Sequence, residues 1–435
     1  MSLTLSSDAK TAPQAGRRLL YGIAGGAPDP GLGTHMERWG ELRPQRHLID
    51  QLEASGLVGH GGAWFPVSTK WRAVAAGGRR RPVVVANGAE GEPASKKDAL
   101  LLSHAPHLVL DGLMLAGSAL GAQQAIVYVP AGRIPLVEAA VAERRAHRLD
   151  PIAVEIAESA DTFISGQESA VVNALSGRRG AIPGFVGLTS IRERGVGGRP
   201  TLVQNVETLA HVALIARFGA KWFRQVGTPD DPGTMLLTVH GPDGPMIVEA
   251  VLGTSLRKAT GLRPEDVARS QGVLLGGYGG GWVTPATFEN LQVCEKATRR
   301  AGAALGAGVV ALLPPDVCPL AEMADVVRYM ERQGAGQCGP CVHGLADLAD
   351  AMERLAYGGA SGPPPDRMLE ICNLIERRGA CRHPDGVARF VRTGLHVFSD
   401  EVTAHQRRGS CAKTHAARAL PVADRTASRR LVSKA

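Results

Sequence analysis

Chemistry-bearing residues gather in five segments of this chain. The first is Gly56-Leu-Val-Gly59-His-Gly61-Gly62-Ala-Trp64-Phe65-Pro66-Val-Ser-Thr-Lys70. Glycines let backbone N–H groups lie against a phosphate or a flat ring, and Lys70 could supply a counter-charge. The pattern is neither a Walker loop nor G-x-G-x-x-G, so an ordinary glycine-rich turn stays open. The second segment, Asn87-Gly88-Ala89-Glu90-Gly91-Glu92, follows the strand-like Val83-Val84-Val85. Polar residues at a strand's carboxyl end are where α/β sheets collect ligands. Glu90 and Glu92 could accept hydrogen bonds from ribose or amide groups, or form a solvated acidic loop. The third and fourth segments are Phe163-Ile-Ser165-Gly166-Gln167-Glu168 and Gln204-Asn205-Val206-Glu207. Gln204 and Asn205 could read the amide edge of a heterocycle, or Asn205 could cap the helix that Val206 begins.

The fifth segment is Gly336-Gln337-Cys338-Gly339-Pro340-Cys341, joined forty residues on by Cys381. Cys-x-x-Cys with a distant third thiol suits an iron–sulfur cluster or zinc, with a dithiol redox pair as the competing reading. The seven cysteines cluster late in 435 residues, which favours a metal or cluster site in a reducing compartment over a disulfide framework. Cys294, Cys318 and Cys372 read as small buried hydrophobes.

The elements that must position these segments change character along the chain. Residues 46–228 alternate glycine loops, apolar strands such as Ala125–Val129 and helical stretches such as Ile134–Ala146, the pattern of an α/β layer domain. From 229 to 313, short strands joined by Gly241-Pro-Asp-Gly-Pro245 predict a small β-rich module. From 314 to 405, apolar residues at helical spacing (Leu345, Leu348, Met352, Leu355) predict four helices in a bundle. Residues 1–45 read as an N-terminal segment and 406–435 as a basic, solvated tail. Eight Lys and Arg against Asp424 give that tail nearly all of the net charge of +8.

Composition narrows the function. Aromatics, at 4%, are too sparse for a base-stacking platform, and no nucleic-acid-binding motif accompanies the basic tail. The longest apolar run, Gly112 to Ala122, is far short of the roughly 18 residues a membrane helix needs. Arg17-Arg18 followed by a short apolar stretch superficially resembles a twin-arginine signal, but Pro28-Asp29-Pro30 ends it quickly. A soluble, cytoplasmic protein is expected, with any membrane association made through partners or the tail.

Taken in order, the five segments resemble the flavin-carrying, NADH-oxidising subunit of respiratory complex I and its relatives in hydrogenases and formate dehydrogenases, from about Ala24 to His405. The resemblance implies a Rossmann-like FMN domain, a ubiquitin-like β-grasp module and a helical bundle carrying an iron–sulfur site. It assigns Gly59, Gly61, Gly62, Lys70, Asn87, Gly166, Gln167, Gln204 and Asn205 to FMN. Phe65, Glu92 and Glu168 match positions that meet NADH, and Cys338, Cys341 and Cys381 match three cluster ligands. The implied activity is NADH oxidation, with electrons passing from FMN through the cluster to a ferredoxin-like partner or a membrane complex. The alternative is a flavoprotein that exchanges electrons only with protein partners.

Departures from the family pattern bear on both cofactors. Ala335 stands where the first cluster cysteine is expected, so the site would hold a [3Fe–4S] cluster, or a [4Fe–4S] cluster completed by His343, His383, Cys411 or water. Ala89 replaces an acidic residue, and the stretch Gly177–Phe185 is shortened. Trp64 stands where the family has glycine beside the flavin, and its indole either fills the dinucleotide slot or swings out to stack on the nucleotide.

Overall fold

The computed structural model describes residues 17–23, 29–42, 45–78, 80–177, 191–359, 362–414 and 419–422. Most of the shortened stretch Gly177–Phe185 therefore lies outside the described residues.

Strands β1 (Val83–Asn87), β2 (Gln124–Pro130), β3 (Val154–Ser159) and β4 (Thr201–Asn205) form a parallel sheet in the order β3-β2-β1-β4. β1 and β2 are buried over almost their whole length, as parallel strands covered on both faces must be. Helix Pro106–Leu120 packs on helix Val206–Phe223 so closely that a Cβ on Gly112 would fall on the Leu209 backbone. Only glycine permits that approach. Among the described residues no single helix is long and apolar enough to cross a membrane. Lys97–His104 and Pro106–Leu120 together have the length and composition of a span, but they bend by 96° and belong largely to the core.

The second sheet holds β5 (Thr234–Gly241), β6 (Gly244–Val251), β7 (Gly272–Leu275), β8 (Gly281–Val283) and β9 (Val309–Leu313). Its order is β6-β5-β9-β7-β8, with β5 parallel to β9 and the other neighbours antiparallel, the topology of a β-grasp. Gly241 pairs with Gly244 across a two-residue Pro242-Asp243 turn, where Gly244 takes φ 93°.

Helices Pro319–Arg332, Leu345–Tyr357, Pro365–Ile375, His383–Val397 and Ser399–Arg408 make the bundle. There are five where apolar spacing predicts four, because the chain breaks at Phe398 and restarts at once. Leu345, Leu348, Met352, Leu355, Met368, Ile371, Phe390 and Val391 fill its core.

The described chain beyond 406 departs in part from the expected solvated tail: Arg407, Arg408, Ser410 and Ala412 are exposed, but its backbone is tied to the bundle. Helix Ser399–Arg408 runs through its start, and Thr414 O accepts from Cys318 N at 2.9 Å. The buried Glu322 carboxylate takes the Ala419 and Leu420 amides at 3.0 and 3.1 Å, and Tyr278 Oη donates to Pro421 O. Leu420 is buried in the bundle core, so hydrophobic burial outweighs the local charge. Arg18 is likewise built into the fold. Its guanidinium donates to the Trp222 and Phe223 carbonyls at 2.7 Å and lies over the Trp222 ring.

Candidate functional site

β1 and β4 are neighbours in register, so Asn87 stands beside Asn205 at the carboxyl edge of the sheet. Asn87 Nδ2 donates to Gly166 O at 2.8 Å, which draws the third segment over the second. Asn205 Oδ1 caps the following helix through Glu207 N at 3.0 Å, while its Nδ2 donates to Asp98 at 2.7 Å. The glycine loop closes on itself through Gly59 N to Phe65 O at 2.9 Å and is tied down by His60 N to Thr208 Oγ1 at 2.9 Å. A Cβ on Gly61 would meet Asn205 Cβ at 3.3 Å, and one on Gly166 would meet Ala89 O at 2.6 Å. Gly62, at φ 97°, turns the loop. Three backbone segments thus close on one another at the carboxyl edge of β1 and β4, with glycine where a Cβ on Gly61 or Gly166 would press on a neighbour.

Side chains from the same segments lie around this edge. Lys70, buried, bridges the Glu168 carboxylate and Val203 O, with Glu168 reaching solvent. Gln204 is buried and accepts from Trp71 Nε1 at 3.3 Å, its amide nitrogen lying near the Gly59 backbone. Gln167 is spent locally: its Oε1 caps the helix Glu168–Leu175 through Ser169 N and Ala170 N. Glu92 faces the β-grasp module, accepting from Tyr278 N at 2.7 Å and Ala94 N at 3.3 Å. Burial pushes its carboxyl up to about 7 against those two hydrogen bonds. Phe65 is exposed, with the Arg192 guanidinium 4.9 Å over its ring. Trp64, at φ 54°, tilts over His60 and packs against the β-grasp core.

Sequence reasoning missed the buried ionic layer beside these segments. Glu207 sits between His60 Nδ1 at 2.9 Å and Lys97 Nζ at 3.0 Å, and Lys97 also meets Asp98 at 2.7 Å, all side chains nearly fully buried. The Lys97 contact is a close ionic approach and the His60 contact a close polar one, and the angles of both fall short of hydrogen-bond geometry. Burial alone would raise Glu207, but Lys97 and His60 hold its carboxyl well below the carboxylate range. Next to it, burial and His60 push His211 down to about 3. The chain Asn205–Asp98–Lys97–Glu207–His60 joins the fourth segment to the first. No spacing rule links Lys97 to Glu207, so distant in sequence.

The three expected cluster thiols gather beyond the C-terminal end of helix Pro319–Arg332, where a Cβ on Gly334 would lie 3.5 Å from Cys341 Sγ. Burial, with Cys338 and Cys381 nearby, pushes the Cys341 thiol up to about 12 and also raises Cys381. The three sulfurs are not all within 4.8 Å of one another. Three gathered thiols are a donor set that an iron–sulfur cluster or zinc can use. Of the substitutes for Ala335, His343 is exposed. His383 is buried and donates from Nε2 to Met330 O at 2.8 Å, which leaves Nδ1 as a buried acceptor. Cys411 is removed from that role by distance: its sulfur lies beside Cys318, at the opposite end of a helix about 21 Å long. Cys318 is therefore not the isolated hydrophobe its sequence context suggests. Phe163 links the two sites: its amide donates to Gln333 Oε1 at 2.9 Å, and its ring packs on that of His383, 5.5 Å between centroids.

These residues fit the groups they resemble sites for, a planar phosphate-bearing flavin and a cluster with three thiolates. Residues 52–214 match the Nuo51 FMN-binding domain family, and residues 321–405 match the NADH-ubiquinone oxidoreductase-F iron-sulfur binding region. The chain is 31% identical over 391 residues to the F subunit of NADH-quinone oxidoreductase from Mycobacterium tuberculosis, a match covering 85% of this chain and 86% of the relative. With the Rhodobacter capsulatus protein of that name identity is 28% over 392 residues, covering 82% and 86%. Among solved structures it is similar to an NAD+-reducing [NiFe]-hydrogenase in the air-oxidised state, with TM-score 0.74 and 29% identity. That match covers 82% of this chain but only 62% of the hydrogenase chain.

Proposed function

This chain belongs to the family of NADH-quinone oxidoreductase F subunits, and from that premise we propose how its own residues serve NADH oxidation and onward electron transfer. Bound FMN supplies the conversion between two-electron hydride chemistry and one-electron transfer, which no amino-acid side chain here provides. The backbone at Gly59, Gly61, Gly62 and Gly166 gives it a surface free of Cβ atoms. Asn87, Gln204 and Asn205 fix the edges of that surface, and Lys70 places a buried cation beside it. Gln167 acts indirectly, by capping the helix that carries Glu168.

Glu168, Glu92 and Phe65 are the residues proposed to receive NADH. Glu168 is oriented by Lys70, Glu92 is held out of water by Tyr278 N, and Phe65 offers an exposed ring under Arg192. Trp64 supports NADH use over a flavoprotein that serves only protein partners, because its indole already has packing partners in His60 and the β-grasp core. Cys338, Cys341 and Cys381 are the proposed cluster ligands, reached from the flavin side through Phe163 and His383. The partner is another electron-transfer protein of ferredoxin-like type, and peripheral association with a membrane complex follows from such a partner. The working division is 46–228 for flavin and NADH, 229–313 for the β-grasp and 314–405 for the cluster.

The observation that carries this reading is the convergence of Gly61, Asn87, Gly166 and Asn205 at the carboxyl edge of β1 and β4. Anaerobic addition of NADH to the purified, cofactor-replete protein tests it. The flavin absorbance should bleach within the mixing time of a stopped-flow instrument. A yellow protein inert to NADH would replace this reading with the partner-only flavoprotein.

A further inference from the structure

At the end of the bundle away from the cluster, Cys318, His405 and Cys411 bring their Sγ, ring nitrogen and Sγ atoms within 4.8 Å of one another. Cys318 immediately precedes helix Pro319–Arg332, His405 lies in the last turn of helix Ser399–Arg408, and Cys411 follows that helix. Cys318 and His405 are fully buried, and Cys411 is half-buried. Cys318 Sγ is 3.5 Å from His405 Nε2. His405 Nδ1 is 3.1 Å from Leu355 O, and a carbonyl can only accept, so Nδ1 carries the proton and Nε2 presents its lone pair to the sulfur. A ring fixed in this way by a backbone carbonyl is the usual support of a metal-ligating histidine. The backbone holds the third ligand in place: Thr414 N donates to Asp316 O and Cys318 N to Thr414 O, each at 2.9 Å, and Lys413 is tied to Glu401 and Gln271.

We propose that Cys318, His405 and Cys411 form a zinc site, separate from the iron–sulfur cluster, that clamps the chain after helix Ser399–Arg408 onto the bundle. Two thiolates and one imidazole are a borderline-soft set that suits a d10 ion with no geometric preference of its own. Zinc would displace one proton from each thiol to solvent and bind the neutral imidazole, so no redox step is involved. Water would fill the fourth position from the half-exposed Cys411 side. The mutual approach under 4.8 Å matches a single ion.

The test uses the full-length holoprotein, reduced and exposed to zinc, then freed of loose metal by a weak chelator. Elemental analysis should find one zinc per chain in addition to iron. Zinc-edge X-ray absorption should show two sulfurs at about 2.3 Å and nitrogen at about 2.0 Å. Cys411→Ser, in the half-exposed segment, should lose that zinc while iron and flavin contents match the native protein, and Cys318→Ser should do the same if it folds. No zinc retained by the reduced native protein would overturn the proposal. So would zinc retained equally by Cys411→Ser but lost from Cys338→Ser, which would place it in the cluster pocket. A Cys318–Cys411 disulfide that reforms after reduction in the presence of zinc would overturn it as well. Because iron, flavin and NADH response are read separately, failure here leaves the NADH-oxidation reading standing.

Discussion

Beside the proposed flavin site, Lys97, Asp98 and Glu207 are buried in close ionic contact, with His60 Nδ1 against Glu207. The cysteine loop at the end of helix Pro319–Arg332 rests instead on groups that burial drives toward neutrality, Cys341 with its thiol at about 12 and His383 pushed down to about 4. Each region underlies a proposed redox site. In the first, the desolvated charges of Lys97, Asp98 and Glu207 are offset by one another, so this layer is organised before a ligand arrives. In the second, burial raises the Cys341 and Cys381 thiols, so metal binding there would release their protons. On the proposed assignment, the flavin site is organised by charges within the polypeptide, while the cluster site would be completed by its metal.

The largest effect should separate the two sites outright. Cys338→Ser or Cys381→Ser should lose most cluster iron and keep FMN, measured by iron analysis and by flavin released on denaturation. Native iron levels in both variants would reject the thiol assignment. Gly61→Val should do the reverse, because its added carbons press on Asn205 where backbone must face the ligand. The expected outcome is protein with native iron and little bound FMN.

Next in size is the ionic layer. Lys97→Met leaves Glu207 and Asp98 buried without their shared cation and should cost about 3–5 kcal/mol in chemical denaturation of the FMN-depleted protein. A loss under about 1 kcal/mol would mean that water already reaches these groups and that the contrast drawn above is wrong.

Acid should weaken the layer by a smaller amount. His211 is held near 3 when folded and near 6.5 when unfolded, and a depressed histidine contributes stability at high pH that is lost as pH falls below its unfolded value. Glu207, held low by Lys97 and His60, loses its contribution in the same direction. For His211 the loss should reach roughly 3 kcal/mol by pH 4. Melting of the native protein and of His211→Gln, compared between pH 7 and pH 4, checks this: the variant should show the shallower slope.

The smallest effect concerns Trp64. Trp64→Gly relieves a positive φ but removes packing on His60, so stability should fall by about 1 kcal/mol or less, and NADH should still bleach the flavin. A variant that gained NADH-driven bleaching absent from the native protein would show the indole occupying the dinucleotide slot.

Local chemistry was enough to place much of this. The apolar runs at Val83–Val85 and Ala125–Val129, the helix Ile134–Ala146 and the Asn205 cap follow from burial, periodicity and capping, all short-range properties. Cys338-x-x-Cys341 stood out by spacing for the same reason, whereas Gly59, Gly61 and Gly62 were left open by spacing and assigned only through the family resemblance. What the sequence could not decide were pairings across long separations, whose energy depends on contacts only the folded chain makes. Lys97 meets Glu207, Cys318 meets His405 and Cys411, and Glu92 turns to Tyr278 rather than to solvent. The segment around Leu420 shows the same limit: its charge pattern reads as solvated, yet a buried Glu322 carboxylate awaiting backbone donors draws it onto the bundle. Composition set the polarity of each segment, and tertiary packing chose its partner.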